Sequence, residues 1–359
     1  MKILARYLLG NVLRATAGAL FALLALLSFF DVVHELQNVG HGSYTVVRLI
    51  VFIVLSAPVH VYELMPIASL LGGLWALSQL VASSEYTVMR TGGWSVASVI
   101  GNLTLTGLVC AGITLATGEF LAPQAERAAQ QMRLAATGSF VAKDFRSGFW
   151  ARDGDSFVNI GEVLPDATLR AVKIFRFDVQ RRLSSITWAG SGYFDSGSKN
   201  WRLNNVTTLT FGSRDASMTA AGEIAWRSSM LSPDMLSALL VRPEQMSLQS
   251  LVSYIDHLKR NGQKTSRHEI ALWSKIAYPL GCIAMLILAL PFANSQRRSG
   301  GVGIKLFIGV MLGLAFFLLN QLCSYMGLLY DWPPILAAAT PGAIAISAAL
   351  GLLWLQERR

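Results

Sequence analysis

The sequence predicts a membrane protein with six transmembrane α-helices, three on each side of an inserted extracytoplasmic β-domain. Composition points to the membrane: 53% of the 359 residues are hydrophobic and only 14% are charged, against about 25% charged in an ordinary soluble domain. Distribution points to the insertion. Apolar blocks fill roughly 1–122 and 270–355, and most charges lie between them. The expected organisation is 1–122, helices one to three; 123–268, a β-domain on helical stalks; and 269–359, helices four to six.

A helix needs about 20 apolar residues to cross the hydrocarbon. Stretches of that kind lie at 9–30, about 50–82, 96–119, 270–293, 302–323 and 334–355. The first is too long for a signal-peptide core and no A-x-A site follows it, so it is expected to be a retained helix. The second is longer than one crossing, and Pro58 and Pro66 within it predict a bent or interfacial approach before the span proper. Cys110, Cys282 and Cys323 all fall in apolar blocks, so no disulfide framework is implied.

Orientation follows from the basic residues of the short flanks. Lys2, Arg6, Arg14, Arg90, Arg297, Arg298, Lys305, Arg358 and Arg359 lie on one side, whereas the opposite loops, 31–48 and 325–333, contain Arg48 alone. The positive-inside bias places both termini and residues 83–95 in the cytoplasm and the middle domain outside.

In that domain, QAERAAQQMRLAA at 124–136 reads as a helical extension of span three. After Gly138 the hydrophobic period shortens toward two in GFWARD, SFVNIGEV, RAVKIFRFD, SSITWAGSGYF, WRLNNVTTLTF and AAGEIAWRS, with turn clusters at 153–156, 178–182 and 195–200. Short strands at such spacing predict an antiparallel sandwich or roll. From Ser232 the pattern turns helical again, and SLQSLVSYIDHLKRNG puts Leu248, Leu251, Ile255 and Leu258 on one face before Gly262 stops it. A domain of this kind serves as a rigid spacer, binds an extended or lipidic ligand, or pairs edge to edge with a neighbouring sheet.

Catalytic signatures are missing. His34-Glu35 and His268-Glu269 lack the second His of HExxH, no G-x-S-x-G occurs, and GGVGIK at 300–305 lacks Walker A spacing. No catalytic residue, metal ligand or bound cofactor is predicted. Ionisable and polar groups near the membrane are the functional candidates. Asp31, His34 and Glu35 are expected at the outer mouth after span one. Glu63, in HVYELMPIASLLGG, either marks the outer interface or faces a polar cavity, and Glu119 is expected at the interface. Asn320 and Gln321 in span five suit interhelical hydrogen bonds.

One polar break, SSEYTVMRTGGWS at 83–95, is more than a connector. Ser84 suits an N-cap, Glu85 the positive end of a helix, Arg90 its negative end, and Gly92-Gly93 a stop. A helix of about two turns, near 84–91, is expected. Tyr86, Met89 and Arg90 share a face, and Glu85 and Arg90 are poorly spaced to pair with each other. The arrangement predicts an apolar knob with spare charges that docks into a soluble partner. The competing reading is a short interfacial helix that only turns the chain.

This stretch resembles the cytoplasmic coupling helix of the lipopolysaccharide export permeases, the LptF/LptG family. The similarity continues through GHGSYT at 40–45, LSAPVHVYELMPIASLLGGL at 55–74, LAPQAE at 121–126, LWSKIAYPLGCIAMLILALPFA at 272–293, RSGGVGIKLFIGVMLGLAFFLLNQL at 298–322 and PPILAA at 333–338. YELMPIA and SKIAYPL are more similar to the LptG branch than to LptF. The resemblance implies a pair of half-transporters, LptF and LptG, around a central cavity in a Gram-negative inner membrane. It implies two copies of a cytoplasmic ATPase, LptB, which uses the ATP and Mg; LptC, with LptA further along the bridge; lipopolysaccharide as substrate; and no nucleic acid. The middle domain would be a periplasmic β-jellyroll.

Carried over by position, Glu85, Tyr86, Met89 and Arg90 would couple to the ATPase. An exposed ion pair contributes only about 0.2–1 kcal/mol, so packing of Tyr86 and Met89 would transmit the force. The first, second and fifth spans would line the cavity, with polar groups only near its outer rim. Asp31, His34, Glu63, Arg48 and Asn320 are the candidate residues of that cavity or its mouth. DVVHELQN at 31–38 is acidic or neutral apart from His34, so contacts to lipid phosphates would fall to His41, Arg48 or the other half-transporter. The alternative is a membrane-anchored envelope assembly scaffold with no transport role. A lipid-modifying enzyme would need a catalytic constellation that the sequence lacks.

Overall fold

The computed structural model describes residues 2–40, 42–137, 148–163, 168–178, 180–195, 197–198, 200–212, 215–227, 243–260, 264–294 and 302–358. Predicted features at His41, Gly138, Ser232, Gly262, Arg297, Arg298, Gly300, Gly301 and Arg359 lie outside them. The chain divides into two units: Met1–Gln37, Ile53–Glu126 and Pro243–Arg359 form one, and Asn38–Phe52 with Arg127–Arg242 the other.

The helices are α1 (Lys2–Glu35), α2 (Val46–Ala82), α3 (Glu85–Thr91), α4 (Val96–Ala116), α5 (Ala122–Thr137), α6 (Leu248–Arg260), α7 (Ser266–Asn294), α8 (Val302–Leu329) and α9 (Pro334–Glu357). Among the described residues, six continuous helical stretches are long and apolar enough to cross a membrane, and they coincide with the six predicted spans. The third runs from α4 through one π turn, Thr117–Leu121, into α5. α2 is one continuous helix of 37 residues with Pro58 and Pro66 inside it. Each proline forfeits one backbone N–H, a local loss that packed neighbours absorb in a membrane helix.

α7 is the most buried span and α1 the least. Small residues let backbones close around α7: a Cβ at Gly107 of α4 would lie 2.7 Å from the Ile283 Cα, which is how membrane helices gain packing without help from water. The core joins Leu70, Leu74 and Leu77 of α2, Leu103 of α4, Leu286 and Leu290 of α7, and Ala349 of α9. α1 and α8 instead present Phe21, Phe29, Phe307 and Leu318 outward.

In the second unit, β1 (Phe149–Asp153), β2 (Ser156–Val163), β3 (Leu169–Phe177), β4 (Leu183–Asp195), β5 (Asn200–Phe211) and β6 (Ala216–Trp226) form one antiparallel sheet in chain order. Among the described residues this is a single antiparallel sheet, consistent with the expected jellyroll insert. Alternation puts Val158 with Ile160, Val172 with Ile174, and Trp201 with Leu203 into one core. That alternation resets along one line across the sheet. The registers pass over Gly161, Ala171, Gly190, Asn205 and Gly222, and Ala171 and Asn205 take left-handed φ of 51° and 52°. Leu169 and Val172, three apart, therefore both point inward, as do Leu203 and Val206. Glycine in a strand marks such creases because the row gives up side-chain packing for a bend.

Candidate functional site

The predicted coupling helix forms as α3, but its chemistry differs from the expectation. Ser84 precedes it with φ 60° and makes no side-chain cap, because a left-handed backbone carries its hydroxyl away from the first amides. Glu85 takes that place in the network. Its Oε1 accepts from the Ser83 hydroxyl at 3.0 Å and its Oε2 from the Tyr7 hydroxyl at 2.9 Å, so the carboxylate is not spare. Tyr86 and Met89 are 6% and 7% exposed, buried in the same core as Leu8, Leu80, Trp94 and Val99. They are not an outward knob. The helix ends beside apolar side chains of α1, α2 and α4, and its most apolar face turns to them. Arg90 is exposed and donates to the Trp94 carbonyl at 3.3 Å. The outward apolar residue is Val88, 68% exposed.

A groove of about 790 Å³ begins beside α3 and runs between α1, α2 and α8. These are spans one, two and five. Gly18, Ala19 and Ala22 of α1 form one wall, and Leu71 and Trp75 of α2 another. The polar members are Tyr7, Asn11, Arg14, Gln79, Ser83 and Glu85, with Ser83 and Glu85 standing at α3. Long side chains at the start of α1 reach into the groove from the charged flank. Asn320, half-buried on α8, is not among the residues lining it.

At the far end of α1, Asp31 meets a residue that the spacing did not flag. His60 Nε2 lies 2.7 Å from Asp31 Oδ2, and His60 Nδ1 lies 3.9 Å from Glu63 Oε2. The trio ties α1 to α2, with the Glu63 side chain 47% exposed. His34 is exposed nearby in sequence, and Glu35 is buried. Arg48 belongs to the second unit, where its guanidinium donates to the Ser43 carbonyl at 2.6 Å. Among the described residues no group of three or more His, Cys, Asp or Glu side chains is arranged to hold a metal ion.

The family described as "Lipopolysaccharide export system permease LptF/LptG" matches residues 6–355. The chain belongs to the LptF/LptG family. LptG of Escherichia coli strain K12 is 33% identical over 360 residues, covering 99% of this chain and 98% of that protein. LptG of Haemophilus influenzae is 30% identical over 354 residues, with the same shares. Both relatives carry the LptG name, in agreement with the likeness of YELMPIA and SKIAYPL to that branch.

For this LptF/LptG chain, two residues were legible only in retrospect. Val88 stands two residues after Tyr86 and one before Met89, so it faces outward once those two are anchored. His60 precedes Glu63 by three, on the same helical face, and a single histidine in an apolar run carried no further signal.

Proposed function

We propose that this chain is the LptG-type half of an ABC-type exporter that extracts lipopolysaccharide from the inner membrane and passes it to a periplasmic bridge. The continuous match to LptG relatives over 99% of the chain carries this reading. In it the chain is the non-catalytic transmembrane part. LptF is its half-transporter partner, two copies of LptB hydrolyse ATP with Mg beneath it, and LptC and LptA take the lipid onward. The basic flanks support a topology with both termini and α3 in the cytoplasm and the sheet in the periplasm.

The geometry supplies the mechanical links. Tyr86 and Met89 root α3 in the bundle, Glu85 is tethered to α1 through Tyr7, and Val88 with Arg90 is left to meet the ATPase. A displacement of α3 is thereby handed to α1, the span with the least burial and one wall of the groove. The groove, apolar along most of its length, suits acyl chains, and LptF would close its open side. Asp31 and Glu63 with His60, and His34, Arg48 and Asn320, are the candidates for contacts at the mouth or along the path.

The test is reconstitution with LptF and LptB in vesicles loaded with lipopolysaccharide. ATP-dependent release of the lipid is expected, and Glu85→Arg should abolish it. Full release with Glu85→Arg sinks the coupling role of Glu85 and its tether to α1. A purified chain that carries neither lipopolysaccharide nor an ATPase sinks the exporter reading itself.

A further inference from the structure

A buried lysine is left over by the mechanism above. Lys275, on the fourth span, is 4% exposed. Its ammonium donates to the Met246 carbonyl and lies 3.8 Å from Glu119 Oε2. Glu119 in turn accepts the Leu248 amide through both oxygens, at 3.1 and 2.8 Å. Leu248 is the first residue of α6, so the carboxylate sits on the positive end of that helix. Glu119, expected at the interface, is half-buried, with its side chain 20% exposed. Burying the Lys275 charge is costly unless it is paired, and ionisable groups in membrane helices are kept where they fix a geometry or a path.

The geometry here is specific. Glu119 lies in Thr117–Leu121, the only π turn among the described residues. A π turn holds one extra residue, and reverting to α would rotate the downstream helix by about 100°. Glu119 would then lose either Lys275 or the α6 amide. The turn is also pressed against α2: a Cβ at Gly118 would lie 2.4 Å from the Tyr62 ring. Tyr62 packs 5.4 Å from Tyr278, one turn along α7 from Lys275, and the Tyr278 hydroxyl donates to the Glu63 carbonyl. The third span, α2, α6 and α7 thus converge on the five residues of the π turn.

We propose that Glu119 and Lys275 are positioning residues for export: they lock the register of the π turn and seat the first turn of α6. The chain returning from the sheet is thereby fixed to the third and fourth spans. The transport readout rests on the exporter reading above; the structural readout does not.

The experiment uses the full complex with LptF and LptB. Amide exchange over residues 248–252 and lipopolysaccharide released per ATP are measured for Glu119→Gln, Lys275→Met and Lys275→Arg. Glu119→Gln, which keeps the side-chain shape, should raise exchange in the first turn of α6 at least tenfold. It should cut release per ATP at least threefold, with ATP hydrolysis changed less than twofold. Lys275→Met should act in the same direction and Lys275→Arg should restore both values. Should Lys275→Met fail to assemble, Glu119→Gln decides. Unchanged exchange overturns the lock, and raised exchange with undiminished release per ATP overturns the positioning role. If the wild-type complex releases no lipopolysaccharide, the exporter reading fails while the exchange measurement still decides the lock.

Discussion

The hydroxyl of Tyr7 donates a 2.9 Å hydrogen bond to Oε2 of Glu85, joining two residues 78 positions apart in the chain. The bond links the second turn of α1 to the first residue of α3. α3 is held from below by Tyr86 and Met89 in the core and from the side by Tyr7. A seven-residue helix has almost no stability of its own, so these contacts decide where it sits. Tyr7→Phe removes an exposed hydrogen bond worth about 0.5–1.5 kcal/mol. The variant should assemble normally and lose part of its coupled lipid release, while Glu85→Arg loses all of it. Equal release from Tyr7→Phe and wild type would show that the tether carries no force.

Val88 and Met89 should separate docking from folding. Met89→Ala opens a cavity under α3 and should cost about 2–5 kcal/mol, read as a lower melting temperature of the purified chain. Val88→Asp lies on the surface, where substitutions change stability by about 0.5 kcal/mol or less. It should leave melting unchanged and weaken ATPase co-purification. Co-purification at the wild-type level would move the docking face elsewhere.

Two glycines facing the α1–α2 contact should respond in opposite ways. A Cβ at Gly72 would fall 2.4 Å from the Thr16 backbone, whereas nothing lies within 4 Å of one at Gly18. Gly72→Ala should force α1 away from α2 and reduce the yield of folded protein. Gly18→Ala should be stabilising by up to about 1 kcal/mol, through helix propensity alone. Gly18→Trp should fold and fill the groove, which lowers lipid release without touching α3. Size-exclusion yield and release assays distinguish the three.

In the sheet, Trp201 is fully buried and meets Phe194 edge to face at 5.4 Å. Trp201→Ala should cost about 3–5 kcal/mol. Amide exchange confined to β4–β6 would show the loss, and unchanged protection there would mean that the core lies elsewhere.

Acid should loosen the same sheet through Asp195. The Ser198 hydroxyl, then the Gly197 amide and the Arg202 guanidinium, hold its carboxyl below the usual range. A depressed folded value stabilises above the unfolded value of about 3.9 and is lost as pH falls through the lower one. Melting followed by tryptophan fluorescence should therefore be insensitive to this group at pH 5–8 and fall below about pH 4. Asp195→Asn should flatten part of that acid limb.

Spans, their number and the strand count were written locally, because hydrophobic length and period depend only on neighbours in sequence. The match of 9–30, 96–119 and 270–293 to observed helices follows from that. α3 was legible as a helix for the same reason, with glycines after it to stop it. Its facing was not. Tyr86 and Met89 look alike as an exposed knob and as a buried root, and only the apolar ends of α1, α2 and α4 decide between them.

Partners across the fold were the other blind spot. Asp31, Glu63 and Glu119 could be named as charges near a membrane, since their cost there is a property of each residue. That His60 sits between the first two, and that Lys275 and the Leu248 amide share the third, depends on helices far apart in sequence coming together. Composition and periodicity are one-dimensional and settled the class and the spans; the family likeness of SSEYTVMRTGGWS came from its resemblance to known permeases. Burial, pairing and the outward side of α3 are properties of packing, where a charge or a ring takes its meaning from the element placed against it.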